Sequence, residues 1–510
     1  MTQDELLTML PFLIVVGLAL AVILIDLFWP RRDDAIMVVA GVGLVGALAA
    51  TLIIGPLPGG VGLLTDGGSI GSDPVLYGRD LLTVLLDALL ISVGLLTLLL
   101  APDYLAPRKL PLAEFTATLL FAISGGMLIG GGQSLLILFL GLELLVLPGY
   151  LLTAFAKRDG LSTEGAIKYF LLGSFSSAIL LFGFAFVLGF TGATQLSDIS
   201  DQLGRLIEGQ EALPLALVMG LALLTVGVLF KIAAVPFHYW TPDAYQGSPT
   251  PVTGYLSVGP KIAAFALILR LLVEGLDPLR GEWALIVGVL AAVTMTVGNL
   301  AALGQDNIKR MLAYSSIAHT GYIMVGLVVF ATADSEAVAA AGVQGVLFYS
   351  VAYAFMNLGA FGIVAALQRR PGVTSQIASF SGLGYRAPVL ALAMTVFLLS
   401  LTGIPPLVGF FAKAIVVLSA LEVGGAMSVL AVIMMLNAAG AAFYYLRVVV
   451  YMYMRKGDEG APSISLGTPT TIGLALAIIA TVAIGLIPPI TEAVLDWTEA
   501  AAELLVAGAI

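Results

Sequence analysis

Charged side chains lie inside stretches of this sequence that are otherwise apolar and long enough to cross a lipid bilayer. Seven of them lie within such stretches, and they are Asp87, Glu143, Lys168, Lys231, Lys261, Lys413 and Arg447. A charge at the centre of a membrane helix costs about 2.5 to 3.5 kcal/mol, so several in one chain indicate a function. A buried lysine gives up its proton more readily than an exposed one, and a nearby carboxylate opposes that loss. Glu143 paired with a lysine is therefore a candidate proton switch.

Helix-breaking residues accompany two of these lysines. Lys231 lies five residues before Pro236, and Lys413 follows a Gly-Ile-Pro-Pro sequence that begins at Gly403. Proline removes a backbone donor, and an interrupted helix is tolerated at membrane depth only where protein or water satisfies the freed groups. Interrupted helices with a charge at the break are typical of transporters. Because the two breaks lie five spans apart, they predict an internal repeat of five helices, and the odd number makes the second copy inverted.

The composition requires the bilayer as solvent. Of the 510 residues, 60% are hydrophobic and 11% are charged, and the mean hydropathy is +1.06, which is more apolar than a water-soluble domain. We therefore expect an all-α polytopic membrane protein with about fourteen transmembrane helices. The predicted spans are residues 10–29, 35–54, 81–100, 112–129, 135–156, 165–190, 213–239, 252–273, 283–303, 311–330, 343–367, 388–418, 426–451 and 472–487.

The expected organisation has four segments. Residues 1–111 carry the first three helices, residues 112–275 form the first five-helix repeat, and residues 276–452 form the second, inverted repeat. Residues 453–510 carry the last helix and a tail. That tail, from residue 491 onward, is either an amphipathic surface helix or disordered.

The basic residues indicate the orientation in the membrane. Those outside the spans fall mostly in alternate loops, and they are Arg31, Arg32, Arg108, Lys109, Lys157, Arg158, Lys309, Arg310, Arg369, Arg370, Arg386, Arg455 and Lys456. Loops with this bias are cytoplasmic. Both termini are therefore expected on the outer, periplasmic side of the inner (plasma) membrane. The N-terminus is acidic, unlike a secretory signal, so we expect the first apolar run to be retained as a helix.

Redox and metal ligands are scarce in the sequence. It has no cysteine and only two histidines, His238 and His319, which excludes disulfides and thiolate-bound iron–sulfur clusters and leaves little for haem or a metal cage. We therefore expect no cofactor and no metal on this chain. The net charge of -10 gives no reason to expect nucleic-acid binding. His319 is either a possible proton relay or a hydrogen-bonded packing histidine, and His238 is expected at the membrane interface.

Three motifs carry a resemblance to a known family. The stretch from Phe230 to Val252, followed by Lys261, resembles the core signature of the antiporter-like, proton-translocating membrane subunits of NADH:quinone oxidoreductase, respiratory complex I. Supporting matches run from Lys309 to Ile317 and from Gly403 to Lys413. The motifs together cover most of the chain from Glu143 to Lys413.

The resemblance implies a fold, a set of site residues and a set of partners. The fold has two inverted five-helix bundles with discontinuous helices seven and twelve. The implied proton relay consists of Glu143, Lys168, Lys231, Lys261 and Lys413. Lys413 and a chain that ends after the fourteenth span favour subunit N, because the sister subunit M has a glutamate at this position and subunit L carries extra C-terminal helices.

The same resemblance assigns the electron-transfer chemistry to other chains. The complex is expected to carry FMN and iron–sulfur clusters and to use NADH and a quinone, while this subunit holds none of them. Expected partners are subunit M, the small membrane subunits of the membrane arm and the lipid bilayer.

Other interpretations of the residues stay open. The chain could be a subunit of a multisubunit cation/proton antiporter without an electron-transfer partner, or a non-pumping assembly scaffold whose buried charges are inert ion pairs. Arg447 could be structural, with its guanidinium reaching toward the cytoplasmic surface, or part of a proton path. Asp87 could likewise be structural or part of a proton path.

Overall fold

The computed structural model describes residues 2–62, 75–208, 213–369, 374–457 and 464–508. The described part is almost entirely helical. Its helices are α1 (Gln3–Phe28), α2 (Asp33–Ile54), α3 (Leu81–Leu100), α4 (Pro102–Leu105), α5 (Leu112–Gly130), α6 (Leu135–Thr153), α7 (Gly160–Thr191), α8 (Leu196–Ile207), α9 (Leu215–Lys231), α10 (Trp240–Gly247), α11 (Thr250–Ile268), α12 (Arg280–Leu303), α13 (Ile308–Thr332), α14 (Glu336–Leu367), α15 (Leu383–Arg386), α16 (Pro388–Thr402), α17 (Val408–Val423), α18 (Gly425–Met454), α19 (Thr468–Leu486) and α20 (Pro488–Ala507). Leu269–Gly275 continues α11 as a π-helix, and three short 3₁₀ turns cover Ala106–Arg108, Asp277–Leu279 and Ile377–Phe380.

Within the described residues, twelve helices are long and apolar enough to cross a membrane. Two further apolar helices, α9 and α16, are shorter, and each precedes a break in the chain. The prediction of a polytopic, helical membrane protein is confirmed. The predicted total of about fourteen is not confirmed as a count, because two of the predicted spans are interrupted helices.

Both predicted helix breaks are present. After α9 ends at Lys231, the chain turns through residues 232–239 before α10 begins, and Ala233 there adopts a left-handed conformation with φ of 59°. After α16 ends, Gly403 adopts φ of 91° and α17 begins at Val408. Each break leaves helix-terminal carbonyl groups without intrahelical partners, and these groups become available to polar side chains.

A small β-hairpin precedes α3. Strand β1 (Leu57–Gly62) pairs antiparallel with β2 (Val75–Arg79), and Val61 lies opposite Tyr77. The sequence analysis predicted helices alone and missed this hairpin, because strands this short and rich in glycine show no clear alternation of apolar residues. Arg79 at the end of β2 forms an ion pair with Asp87 of α3 at 3.1 Å, and both side chains are fully buried. Asp87 therefore fixes the hairpin to the helix bundle.

The centre of the bundle is formed by α11, α13 and α14. Every residue of α11 is buried, and most of α13 and α14 is buried too. By contrast, α1, α2, α7 and α18 expose many large apolar side chains, as expected of helices at the edge of a membrane protein. The predicted tail is helical as α20, and its Leu505 and Val506 are buried. Lys261 on α11 and His319 on α13 are therefore placed at the core.

Candidate functional site

Lys231 is buried at the last residue of α9, immediately before the first break. Its side chain is 7% exposed, and its ammonium group donates to the hydroxyl of Ser177 at 2.8 Å and to the carbonyl of Gly173 at 3.3 Å, both on α7. Glu143 of α6 is close enough to act electrostatically on Lys231, and its Oε1 atom is buried without a hydrogen-bond partner among the described residues. Neutral oxygens therefore hold the ammonium, and the carboxylate is nearby to stabilise its charge.

Lys261 lies at the centre of the bundle and is 4% exposed. Its ammonium group donates to the carbonyl and hydroxyl of Ser316, at 2.5 and 2.6 Å, and to the hydroxyl of Thr320 at 2.8 Å. Thr320 in turn donates to the carbonyl of Ile232 at 2.9 Å. Because Ile232 directly follows Lys231 at the break, Thr320 connects the surroundings of the two lysines.

His319 lies on α13 next to Thr320 and is also hydrogen-bonded inside the protein. Its ring nitrogens hydrogen-bond to the hydroxyl of Tyr349 at 2.7 Å and to the hydroxyl of Tyr445 at 3.2 Å. Tyr445 also hydrogen-bonds to Ser315. His319 is 1% exposed, so both nitrogens are bonded inside the protein. An imidazole with two hydroxyl partners can accept a proton on one nitrogen and release one from the other.

Lys413 lies beside the second break, on the first turns of α17. Its ammonium group donates to the carbonyls of Leu401 and Thr402, at 2.7 and 2.6 Å. These are the last carbonyls of α16, at the negative end of the helix dipole. A Cβ atom at Gly403 would lie 2.9 Å from Cδ of Lys413, so the glycine makes room for the lysine side chain. The ammonium group also lies 5.4 Å from the ring centre of Tyr322.

Tyr322 connects Lys413 to His319. The Tyr322 ring packs edge-on against the imidazole of His319, with 5.4 Å between the ring centres. The hydroxyl of Tyr322 accepts a hydrogen bond from Asn299 of α12 at 2.7 Å. Thr320 links Lys231 and Lys261, and Tyr322 contacts both His319 and Lys413. We call the four residues Lys231, Lys261, His319 and Lys413 the buried polar line.

Lys168 is placed outside the buried polar line. Its side chain is 41% exposed, and its ammonium group lies 2.6 Å from Glu164 and 2.6 Å from Asp243 of α10. Asp243 also pairs with Arg310 at 2.6 Å. Partial burial acts to raise the pKa of Asp243, but the hydrogen bonds from Lys168 and Arg310 outweigh burial and lower that pKa below its usual value.

Arg447 is bound at the end of α12. Its guanidinium donates to the carbonyls of Leu303 and Gln305 and lies 3.8 Å from Asp306. These contacts stabilise the C-terminal end of a helix, where a cation is favourable. Of its two interpretations, the geometry favours the structural one.

The sequence reasoning missed the neutral members of the site and Asp243. Ser177, Ser316, Thr320 and the tyrosines are ordinary residues of membrane helices, and nothing in their type distinguishes them. One available signal is spacing, since Ser316 and Thr320 lie four residues apart and so share one face of α13. The predicted roles of Glu143 and of the lysines stay predictions at this point.

Comparison with known proteins identifies the family. Residues 132–438 match the model of the transmembrane family described as NADH:quinone oxidoreductase/Mrp antiporter. The chain belongs to this family. The chain is 37% identical over 499 residues to NADH-quinone oxidoreductase subunit N of Trichlorobacter lovleyi, covering 97% of this chain and 96% of that protein. It is 39% identical over 478 residues to subunit N of Chloroflexus aggregans, covering 94% of each.

Solved structures show the same fold. A chain of respiratory complex I from Thermus thermophilus with bound aureothin matches with a TM-score of 0.75 and 29% identity, over 95% of this chain and 98% of that one. A chain of the Mrp complex from Dietzia sp. matches with a TM-score of 0.82 over 99% of this chain and 98% of that one, at 20% identity. The second likeness shows the fold alone. The predicted membership of the antiporter-like membrane subunits is confirmed.

Proposed function

We propose that this chain is subunit N of an NADH:quinone oxidoreductase and that it moves protons through the membrane along the buried polar line. The observation that carries the proposal is that three lysines, Lys231, Lys261 and Lys413, are 7%, 4% and 5% exposed and that each ammonium group binds neutral oxygens. A buried ammonium without a directly bonded carboxylate is costly. Each of these lysines is therefore a site where a proton can be taken up and released.

Glu143 is the proposed switch at one end of the line. When its carboxylate is charged and close, it stabilises the ammonium form of Lys231; when it is protonated or displaced, Lys231 releases its proton. In the described part of the chain, Glu143 and Lys231 form no ion pair within 4 Å, so the switch requires the two groups to approach. A charge pair brought to about 4 Å at an effective dielectric of about 20 gains about 4 kcal/mol. That exceeds the roughly 2.3 kcal/mol needed to move one charge against 100 mV, so such a switch is strong enough to drive transfer.

The proton route between the lysines uses hydroxyl groups and the break beside Lys231. A cavity of about 10 Å³ touches Lys231, Trp240 and Pro260, which is about the space that one water needs. Pro260 precedes Lys261 on α11, so the cavity extends from Lys231 to the part of α11 that carries Lys261. From Lys261, the hydroxyls of Ser316 and Thr320 and the ring of His319 lead along α13 toward Lys413.

The rest of the proposal combines the expectations from the sequence with the names of the relatives. As in the expected complex, electron transfer from NADH to a quinone, with FMN and iron–sulfur clusters, takes place on other subunits. Partners are the other membrane-arm subunits, including subunit M. We place the chain in the inner (plasma) membrane with both termini on the outer side, and we assign residues 112–275 and 276–452 to the two inverted repeats, since each contains one interrupted helix.

Substitution of Lys231 and Glu143 tests the proposal. In the purified complex reconstituted into vesicles, Lys231→Ala and Glu143→Gln should reduce proton pumping at least about tenfold, the range for loss of a proton-transferring side chain. Lys109→Ala, an exposed lysine of a loop, is the control and should pump normally. Normal pumping by both test variants in assembled complex would refute the relay.

Co-purification tests the alternative assignment. The family also contains Mrp antiporter subunits, and a subunit of that kind would have no electron-transfer partner. The proposal predicts that this chain purifies in mild detergent together with flavin-containing and iron–sulfur subunits. A complex without flavin that exchanges a cation for protons would support the antiporter assignment instead.

A further inference from the structure

The short helix α10 is held by a charged cluster that no part of the buried polar line uses. Asp243 accepts hydrogen bonds from Lys168 of α7 and from Arg310 of α13, each at 2.6 Å. Arg310 also donates to the side chain of Gln246 at 2.9 Å. One carboxylate therefore joins three helices that are distant in the sequence. We call Asp243, Lys168 and Arg310 the α10 clamp.

Two further contacts hold α10, one from α13 and one from α7. Lys309, next to Arg310, is 3% exposed and donates to the carbonyls of Gln246 and Ser248, at 3.0 and 2.5 Å. These carbonyls lie at the end of α10, where a cation is favoured. A Cβ atom at Gly247 would lie 2.1 Å from the carbonyl oxygen of Leu161, so α10 and α7 meet at backbone distance. The position of α10 is therefore set by α7 and α13 together.

An aromatic stack connects α10 to Lys231. Trp240 stacks on Tyr169 of α7, with 4.4 Å between ring centres and 12° between ring planes. Trp240 also stacks on Phe230, with 5.8 Å between ring centres and 26° between ring planes, and its indole N–H donates to the carbonyl of Phe230 at 3.4 Å. Phe230 precedes Lys231. A displacement of α10 would therefore move the backbone that carries the Lys231 ammonium group.

We propose that Asp243 is a positioning residue, and that Lys168 and Arg310 hold it so that α10 and the stack keep Lys231 in place for proton transfer. This inference rests on the proposed function of Lys231. In this role Lys168 acts as a fixed positive charge. Its side chain is 41% exposed and its ammonium group lies between two carboxylates, an environment unlike that of the three buried lysines.

A conservative substitution separates the clamp from a proton relay. Arginine keeps a positive charge and hydrogen-bond donors at every physiological pH and does not release a proton. Lys168→Arg should therefore preserve pumping if Lys168 holds Asp243, and should abolish it if Lys168 carries protons. Lys168→Met and Asp243→Asn, which break the clamp, should reduce pumping about tenfold, since a displacement of the order of 1 Å is costly at a reacting group.

The measurement is the rate of proton uptake into vesicles that contain the whole complex, with NADH oxidation recorded in the same sample and assembly checked by native electrophoresis. Normal pumping by Asp243→Asn, or equal losses in Lys168→Arg and Lys168→Met, would overturn the inference. If Asp243→Asn fails to assemble, the two Lys168 variants decide alone, and equal pumping by Lys168→Arg and Lys168→Met overturns the inference. Lys231→Arg is measured in parallel to separate the two proposals. Normal pumping by Lys231→Arg refutes the proton relay itself. If only the proposed role of the clamp is wrong, Lys231→Arg still fails to pump.

Discussion

Removing the hydroxyl of Thr320 should interrupt the buried polar line without changing its shape. Thr320 accepts a hydrogen bond from Lys261 at 2.8 Å and donates one to the carbonyl of Ile232 at 2.9 Å, and its side chain is 1% exposed. Thr320→Val keeps the volume but leaves one buried donor and one buried acceptor unsatisfied. Loss of the acceptor destabilises the protonated form of Lys261 by about 1 to 3 kcal/mol, and 1.4 kcal/mol corresponds to a factor of about ten in the population of that form. We expect proton pumping to fall about tenfold or more.

The assay for Thr320→Val compares initial rates of proton pumping by assembled complex in vesicles. Thr320→Ser retains the hydroxyl and should keep most of the activity. Thr332→Val is the matched control, because Thr332 lies on the same helix and its hydroxyl binds the carbonyl of Val328 one turn earlier, at 2.7 Å. If Thr320→Val pumps as fast as Thr332→Val, the hydroxyl is not part of the proton route and the reasoning is wrong.

Three further predictions concern the break, the clamp and the end of α12. Gly403→Ala should lower the thermal stability of the complex, by about 1 to 2 kcal/mol for the left-handed backbone alone, because φ is 91° and the new Cβ would lie 2.9 Å from Lys413; an unchanged melting temperature would contradict this. The pKa of Asp243 is lowered in the folded protein. The charged carboxylate therefore stabilises the fold fully above the unfolded pKa of about 3.9, and this stabilisation is lost as the pH falls through the folded pKa. The difference in melting temperature between wild type and Asp243→Asn should stay constant from about pH 8 to 5, and a difference that shrinks within that range would be contrary evidence. Arg447→Ala should destabilise the complex by about 1 to 2 kcal/mol, while the number of protons pumped per NADH stays unchanged. A lower number of protons per NADH would show that Arg447 is part of the proton path.

Local sequence signals predicted both breaks and the burial of Lys231, Lys261 and Lys413. They did not predict the exposure of Lys168 or the burial of Lys309. Proline and glycine act on the backbone where they occur, so the interruptions beside Lys231 and Lys413 could be located directly. A lysine within an apolar stretch stands out by its type alone. The confirmed helical membrane fold follows in the same way from composition. The boundaries of the two repeats and the roles of the site residues stay predictions.

The partners of these residues could not be predicted, because they depend on which helices pack together. Asp243 lies 75 residues from Lys168 and 67 residues from Arg310, and no single-sequence pattern indicates that the three meet. Lys168 illustrates the difficulty: it lies inside a predicted span like Lys231, yet its ammonium group is partly exposed between two carboxylates. Periodicity shows which residues share a helix face, but it does not show whether that face meets protein or lipid.

The most direct test of the account is proton pumping by a complex with Lys231→Arg. Arginine keeps the positive charge but does not release a proton, so this variant separates proton transfer at Lys231 from a purely electrostatic or structural role. The account predicts an assembled complex whose pumping rate falls at least about tenfold, as for loss of a proton-transferring group. Pumping at the wild-type rate would contradict the claim that Lys231 carries protons.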